Sequence, residues 1–160
     1  MAVLRMAHVG VCVSDLERAV RFYRDGLGFR LRSEFRVQGE PSDTLLRLRD
    51  VDLHAVYLER DGTRIELLHY ASPTAIGDGA PRAMHARGLT HLSLRVDDLD
   101  ATIADLRRAG AHALESSRID IKPFGVAAVF VTDPDGTLVE LVQSPGDPEI
   151  PPGGGPRTAE

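Results

Sequence analysis

The chain contains two copies of one pattern, and this internal repeat limits the folds that it can adopt. The segment HVGVCVSDLERAV at 8–20 aligns with HLSLRVDDLDATI at 91–103, so that His8 falls on His91. Each segment joins a short alternating apolar run to a stretch with helical spacing. A repeat of this length is not a short-period solenoid and indicates a duplicated folding module.

A second match lies near the end of each copy. DGTRIELL at 61–68 aligns with DGTLVELV at 135–142, so that Glu66 falls on Glu140. In both, an Asp-Gly pair precedes an apolar run that holds one glutamate, and the pair at 61–62 favours a type I′ hairpin turn. The spacing from His to Glu is longer in the first copy, so we predict an insertion there.

The first module is predicted to be βαβββ with a short helix inserted. Residues 3–13 have the apolar pattern of a strand, and Ser14-Asp15 is an N-cap pair that begins a helix. Residues 29–37 alternate as a second strand. Residues 41–48 suit a short capped helix, which accounts for the insertion, and the hairpin at the Asp-Gly pair supplies the last two strands.

The second module is predicted to repeat this plan. A strand at 89–96 leads into a helix over about 98–109, and another strand follows near 111–115. The polar stretch SSRIDIKPFG at 116–125 is predicted to be a loop. The last two strands then turn at 133–136, where the sequence is Asp-Pro-Asp-Gly.

These patterns predict an α+β chain of two modules. The Pro- and Gly-rich stretches between and after the modules indicate a linker and a disordered tail. The predicted parts are a first module at 1–70, a linker at 71–88, a second module at 89–143 and a disordered tail at 144–160.

Composition excludes several classes of function. The net charge of the 160-residue chain is −5, and no run of Lys or Arg marks a nucleic-acid surface. No apolar stretch is long enough to span a membrane, and we identify no signal peptide. The single cysteine, Cys12, excludes an intramolecular disulfide and is expected to be a small core residue. We therefore expect a cytoplasmic protein that acts on a small molecule, without nucleic acid or membrane.

The repeat supplies four side chains that could form one site. His8 and His91 lie near the start of the first strand of each module, and Glu66 and Glu140 lie within the last strand. Two imidazoles and two carboxylates suit a divalent transition metal. Two glutamate charges balance those of the ion, which offsets the cost of placing carboxylates in a sheet.

Each residue alone has an ordinary structural explanation. A single His on a strand is more often a core or surface residue, and a Glu in an alternating strand usually faces water. The neighbours of Glu140 on its own face, Leu138 and Val142, are apolar; those of Glu66 are Arg64 and Leu68. The apolar surroundings, and the recurrence of all four residues in register, favour a metal site.

The sequence resembles the vicinal oxygen chelate superfamily, the glyoxalase I and bleomycin-resistance group, over roughly residues 4–143. The matching segments are HVGVCVSDLERAVRFYRDGLGF, TRIELL, LTHLSLRVDDL and FVTDPDGTLVELV. The resemblance implies paired βαβββ modules that form a cupped, incomplete barrel around one divalent metal ion: Ni, Co, Zn, Mn or Fe(II). It also implies a homodimer with sites closed within one chain or between two. The implied metal ligands are His8, Glu66, His91 and Glu140.

The activity implied is proton transfer next to a metal-bound carbonyl group, with Glu140 or Glu66 as the base. We predict an isomerase or epimerase that acts on a hydroxyketone or an acyl substrate. A glyoxalase I-like lyase is the alternative enzyme, although that enzyme usually has an arginine where this chain has Cys12. Methylmalonyl-CoA epimerases resemble the first copy more closely but usually have Gln in place of Glu66. A non-catalytic binding or resistance protein is the alternative from another class.

Overall fold

The computed structural model of the protein describes residues 2–149 and divides the chain into two compact units. Unit 1 is Met1–Ala80 and unit 2 is Pro81–Glu160. Each unit has its own four-stranded sheet. Of the predicted disordered tail at 144–160, residues 150–160 lie outside the described residues. The predicted α+β architecture of paired βαβββ modules is confirmed.

Unit 1 has the predicted order of elements, with one short helix inserted before the hairpin. A π-helical turn at Arg21–Gly26 continues the first helix. The elements are β1 (Val9–Cys12), α1 (Leu16–Val20), β2 (Arg30–Gln38), α2 (Ser42–Leu46), β3 (Asp52–Arg60) and β4 (Thr63–Ser72).

The first and last strands of unit 1 lie side by side. The order in the sheet is β1-β4-β3-β2, with β1 parallel to β4 and the other pairs antiparallel. The strand predicted at 3–13 is shorter than expected, because pairing with β4 begins only where Val9 meets Ile65. Val3 and Leu4 are exposed and precede the strand.

Unit 2 has the same plan without the inserted helix. Its sheet order is β5-β8-β7-β6, again with the first strand parallel to the last. A single turn of 3₁₀ helix at Lys122–Phe124 precedes the third strand. The elements are β5 (Leu92–Val96), α3 (Leu99–Arg108), β6 (His112–Ile121), β7 (Val126–Thr132) and β8 (Leu138–Gln143).

The prediction of a polar loop at 116–125 is wrong for most of that segment. Strand β6 extends to Ile121, and Ile119 pairs with Ala128 after an irregularity in the register. Ser117 stabilises the irregular stretch: its Oγ accepts a hydrogen bond from the backbone N–H of Phe130 at 2.9 Å. Strand β6 lies at the edge of its sheet, and an edge strand can carry polar residues on both faces. The polar sequence of this segment therefore did not indicate a strand.

Equivalent aspartates begin the main helix of each unit. The carboxylate of Asp15 accepts a hydrogen bond from the backbone N–H of Arg18, and that of Asp98 accepts one from Ala101, both at 2.9 Å. Each aspartate therefore satisfies an N–H group that the helix leaves unpaired, the usual role of an N-cap. The N-cap of the first helix is thus the second residue of the predicted Ser14-Asp15 pair.

The core of unit 1 lies on the face of the sheet that α1 contacts. Leu58 pairs with Ile65 and Val56 with Leu67, and all four side chains are buried. A smaller apolar cluster occupies part of the opposite face, beside α2. Its members are Val37, Leu46, Val51, Leu53, Ala55, Leu68 and Tyr70.

Cys12 is exposed, so the prediction of a core cysteine is wrong. Its neighbours Val11 and Val13 are buried. Because side chains alternate along a strand, Cys12 points to the face opposite those valines. No described helix is long and apolar enough to cross a membrane.

The two hairpins use different turns. Asp61 and Gly62 both have positive φ, 51° and 75°, as a type I′ turn requires. The turn of unit 2 is longer and depends on Asp133, which is only 2% exposed. Its carboxylate accepts hydrogen bonds from the backbone N–H groups of Asp135 and Thr137, at 2.9 and 2.7 Å.

Replacing Gly62 with alanine tests the tight turn. A Cβ at this positive φ is strained although, among residues 2–149, no atom beyond those of its chain neighbours lies within 4 Å of it, so we expect the free energy of unfolding to fall by about 1 kcal/mol. Asp61→Asn is the control, because asparagine tolerates positive φ and should leave stability nearly unchanged. Urea unfolding measures both, and an unchanged midpoint for G62A would contradict the assignment of the turn.

Candidate active site

In unit 1 a histidine and a glutamate meet on one face of the sheet. His8 directly precedes β1, and Glu66 lies in the middle of β4. His8 Nε2 is 3.1 Å from Glu66 Oε2, with the His side chain 34% exposed and the Glu side chain 12% exposed. Because β1 runs parallel to β4 with Gly10 beside Glu66, the residue two positions before Gly10 falls on the same face.

Unit 2 forms the equivalent pair. His91 directly precedes β5, and Glu140 lies within β8 beside Ser93. His91 Nε2 is 3.7 Å from Glu140 Oε2, and both side chains are partly exposed. The structure therefore brings together the predicted residues of each copy, one His and one Glu in each unit.

An aromatic ring lies against each histidine. Tyr57 faces Glu66 across the β3–β4 pair, and its ring centroid is 5.3 Å from that of His8. Phe130 faces Glu140 across the β7–β8 pair, and its centroid is 5.2 Å from that of His91. We did not predict these positions as part of the site, although each aromatic residue lies in the strand before its glutamate. Each aromatic ring limits the rotation of the imidazole that it contacts.

The two glutamates have different hydroxyl neighbours. In unit 2, Ser93 Oγ donates a hydrogen bond to Glu140 Oε2 at 2.7 Å. In unit 1 the position of Ser93 is taken by Gly10, and the hydroxyl group comes instead from Tyr57. Burial, and then a hydrogen bond to Glu66, raise the pKa of the Tyr57 hydroxyl. Each carboxylate is therefore oriented by a neighbour that belongs to its own unit.

The two pairs have the spacing of neighbouring ligands on one ion. Two ligand atoms about 2.1 Å from a metal, at an angle of roughly 90 to 110°, lie about 3.0–3.4 Å apart. The His–Glu distance of 3.1 Å in unit 1 lies within this range, and the distance of 3.7 Å in unit 2 lies just above it. Among residues 2–149 no group of three or more His, Cys, Asp or Glu side chains could hold a metal. Each unit thus presents two candidate ligands, one histidine and one glutamate.

A cavity of about 600 Å³ opens beside the pair in unit 1. It is next to Glu66, because His8 and Tyr57 form part of its wall. Two of the residues that line it are arginines. The lining residues are Ala7, His8, Arg32, Ser33, Tyr57 and Arg64.

The two arginines that line the cavity share one carboxylate. Arg32 Nη2 and Arg64 Nε donate to the two oxygens of Glu59, each at 2.8 Å. These hydrogen bonds, first from Arg32 and then from Arg64, lower the pKa of Glu59 from its usual 4.5 to about 2. Glu59 is therefore ionised at neutral pH, and the three side chains together carry one net positive charge. We did not predict this cluster as part of a site.

Other polar residues lie away from the pairs. His54 faces His69 in the register, on the face opposite Glu66, and its Nε2 is 2.5 Å from a carboxylate oxygen of Glu34. Arg118 forms ion pairs with Asp100 and Asp120.

Comparisons with known proteins place the chain in one superfamily. The model of the glyoxalase/bleomycin resistance protein/dioxygenase superfamily matches residues 5–141. An ethylmalonyl-CoA/methylmalonyl-CoA epimerase of Cereibacter sphaeroides is 33% identical, over 87% of this chain and 97% of the relative. A lactoylglutathione lyase of Haemophilus influenzae is 26% identical, over 88% of this chain and 93% of the relative.

A solved structure supports the fold. A glyoxalase family protein from Bacillus cereus superimposes with a TM-score of 0.79, covering 91% of this chain and 97% of that protein. The sequences are 22% identical, so this likeness establishes the fold and carries no information on activity. The predicted glyoxalase-like fold is confirmed.

The shared carboxylate generates a prediction about pH. We expect Glu59 to titrate near pH 2, so that its ion pairs contribute to stability above pH 4.5 and lose this contribution as the pH falls from 4.5 towards 2. Arg32→Gln should raise the pKa of Glu59, because it removes the larger hydrogen-bond contribution. Carboxyl ¹³C NMR measures the pKa of Glu59 in the wild type and in the variant. Arg24→Gln, which removes an exposed pair with Asp25, is the control and should leave Glu59 unchanged.

Proposed function

Because the chain belongs to the glyoxalase/bleomycin resistance protein/dioxygenase superfamily and carries a His–Glu pair in each unit, we propose that it is a metal-dependent isomerase or epimerase. It moves a proton at a carbon next to the carbonyl group of a hydroxyketone or acyl substrate. The observation that carries the proposal is the repetition of the pair, since a superfamily fold by itself hosts many reactions.

The four side chains His8, Glu66, His91 and Glu140 would hold one divalent ion of Ni, Co, Zn, Mn or Fe(II). When bound, such an ion acts as a Lewis acid that stabilises negative charge on a carbonyl oxygen. A complete set needs one pair from each of two units, which belong either to one chain or to two chains of a homodimer. The hydroxyl groups of Ser93 and Tyr57 orient the carboxylates.

A glutamate supplies the acid–base step. The carboxylate of Glu140 or Glu66 takes the proton from the α-carbon, so that the C–H electron pair moves towards the carbonyl oxygen and an enolate forms. The glutamate is then a neutral acid. Return of a proton to the same carbon on its other face gives an epimer, and return to the neighbouring carbon gives an isomer. No oxidant or reductant is needed.

Two alternatives remain to be separated from this reaction. A lyase like the lactoylglutathione lyase is supported by a relative at 26% identity, against 33% for the epimerase. The resemblance implies that a lyase of this kind has an arginine at the position of Cys12. This chain has an exposed thiol there. A non-catalytic binding protein uses the same cavity without proton transfer.

Metal content tests the ligand set. We expect about one divalent ion for each set of four ligands, measured by elemental analysis of the purified protein. Replacing His8 or His91 with alanine should weaken binding by at least 10–100-fold, roughly the loss seen when even an outer-shell partner is removed. His112→Ala, a substitution at an exposed histidine of unit 2, is the control. Wild-type protein that binds no ion would contradict the metal-dependent reaction.

Hydrogen exchange tests the acid–base step. With methylmalonyl-CoA, a hydroxyketone or a glutathione thiol hemiacetal in D₂O, the wild type should introduce deuterium at the α-carbon of its substrate. Glu140→Gln should slow this exchange by about 100-fold or more, the usual contribution of a general base. Mass spectrometry measures the label. Glu115→Gln is the control, because Glu115 is exposed and pairs only with Arg107 among the ion pairs described.

The pattern across the three compounds separates the alternatives. Exchange into methylmalonyl-CoA or the hydroxyketone supports the isomerase or epimerase. Turnover of the thiol hemiacetal alone supports the lyase. Tight binding of a compound without exchange, by protein loaded with metal as well as by metal-free protein, would overturn the enzyme and support the binding protein.

A further inference from the structure

Arg64 of unit 1 has no charged equivalent in unit 2. Arg64 stands two residues before Glu66, where unit 2 has Leu138 two residues before Glu140. Arg64 pairs with Glu59 across the hairpin, and Leu138 pairs with Thr132 in the same way. Leu138 and Thr132 are both buried. The repeat therefore acts as an internal control: the equivalent pair of residues in unit 2 is uncharged, and the strands still pair.

A purely structural role explains little of the cluster. Ion pairs between partly exposed side chains add about 0–1 kcal/mol to stability. The Arg32, Arg64 and Glu59 side chains are 56%, 39% and 19% exposed. One carboxylate cannot neutralise two guanidinium groups, so a positive charge is left where the two arginines line the cavity.

The geometry of the arginines suits an anion. Arg32 uses Nη2 and Arg64 uses Nε for Glu59. A guanidinium group carries five N–H donors in a planar fork, so each side chain has further donors to offer a ligand. Carboxylate and phosphate groups match this fork and often bind it through two parallel hydrogen bonds.

The arginines also lie close to the proposed chemistry. Arg64 and Glu66 are two residues apart on β4 and share a face, which separates them by about 7 Å along the strand. His8 lines the same cavity. A substrate of a few carbon atoms spans this distance, with one end at the arginines and its reacting carbon at the glutamate.

We propose that Arg32 and Arg64 form a subsite that binds an anionic group of the substrate, a carboxylate or a phosphate. The inference rests on the proposed function only in calling the ligand a substrate. Glu59 holds the two guanidinium groups in place when the subsite is empty. The subsite makes the enzyme selective for an acyl or hydroxyketone compound that carries a negative charge near its reactive carbon.

Binding of small anions tests the subsite without any turnover. Malonate supplies carboxylates, inorganic phosphate supplies the other anion, and malonamide is an uncharged analogue of malonate. Each is titrated into the full chain, as purified and after chelation of metal, and binding is followed by NMR at the Arg64 and His8 signals. Chelated protein excludes binding of malonate through an ion.

We expect malonate or phosphate, but not malonamide, to bind the wild type with and without metal. Whichever anion binds more tightly identifies the charged group of the substrate. Arg32→Gln and Arg64→Gln should each weaken this binding by about tenfold or more, since each removes a charged hydrogen-bond donor. Arg24→Gln is the matched control and should bind like the wild type. Thermal unfolding checks that the variants are folded.

Failure of malonate and phosphate to bind, or equal binding by Arg64→Gln and the wild type, would overturn the subsite. Equal binding of malonamide would do the same. These results are independent of the exchange experiment. Anion binding without hydrogen exchange would keep the subsite and reject the enzyme, whereas exchange without anion binding would reject the subsite alone.

Discussion

Parallel pairing between the first and last strands of each unit is the constraint on which the rest of the structure depends. Strand β1 lies beside β4, and β5 lies beside β8, with matching registers. This pairing brings a residue from the start of a module next to one from its end. The His–Glu contacts of 3.1 and 3.7 Å follow from it. A slip of one residue in either register would move the glutamate to the opposite face of its sheet.

The two units keep this pairing and differ in what surrounds it. Unit 1 has a phenol beside its glutamate, and two arginines line the cavity next to its histidine. Unit 2 has a serine hydroxyl on its glutamate, and it has the buried, uncharged residues Thr132 and Leu138 where unit 1 has Glu59 and Arg64. Duplication thus provides one chemical pair twice, while the divergence between the copies makes the surroundings unequal. In our proposal the shared pairs bind metal and the unequal surroundings select the substrate.

Prediction from sequence succeeded where a local pattern had a physical cause. The Asp-Gly turn at 61–62, the inserted helix and the capped helices follow from backbone preferences and hydrogen bonds within a few residues. Prediction failed where the structure depends on residues that are distant in the sequence. The extension of β6 to Ile121 depends on pairing with β7, and the exposure of Cys12 depends on which face of β1 the helix covers. The short β1 likewise reflects where its partner strand is available.

The sequence by itself determined the repeat, the order of the elements and the choice of His8, Glu66, His91 and Glu140 as candidate ligands, because these follow from composition, spacing and period. Only the tertiary structure decided which residues surround each pair. Tyr57 and Ser93 reach the glutamates through strand pairings between distant parts of the chain, and Arg32 meets Arg64 at the carboxylate of Glu59. Such pairings depend on the register of whole strands, which no short segment specifies.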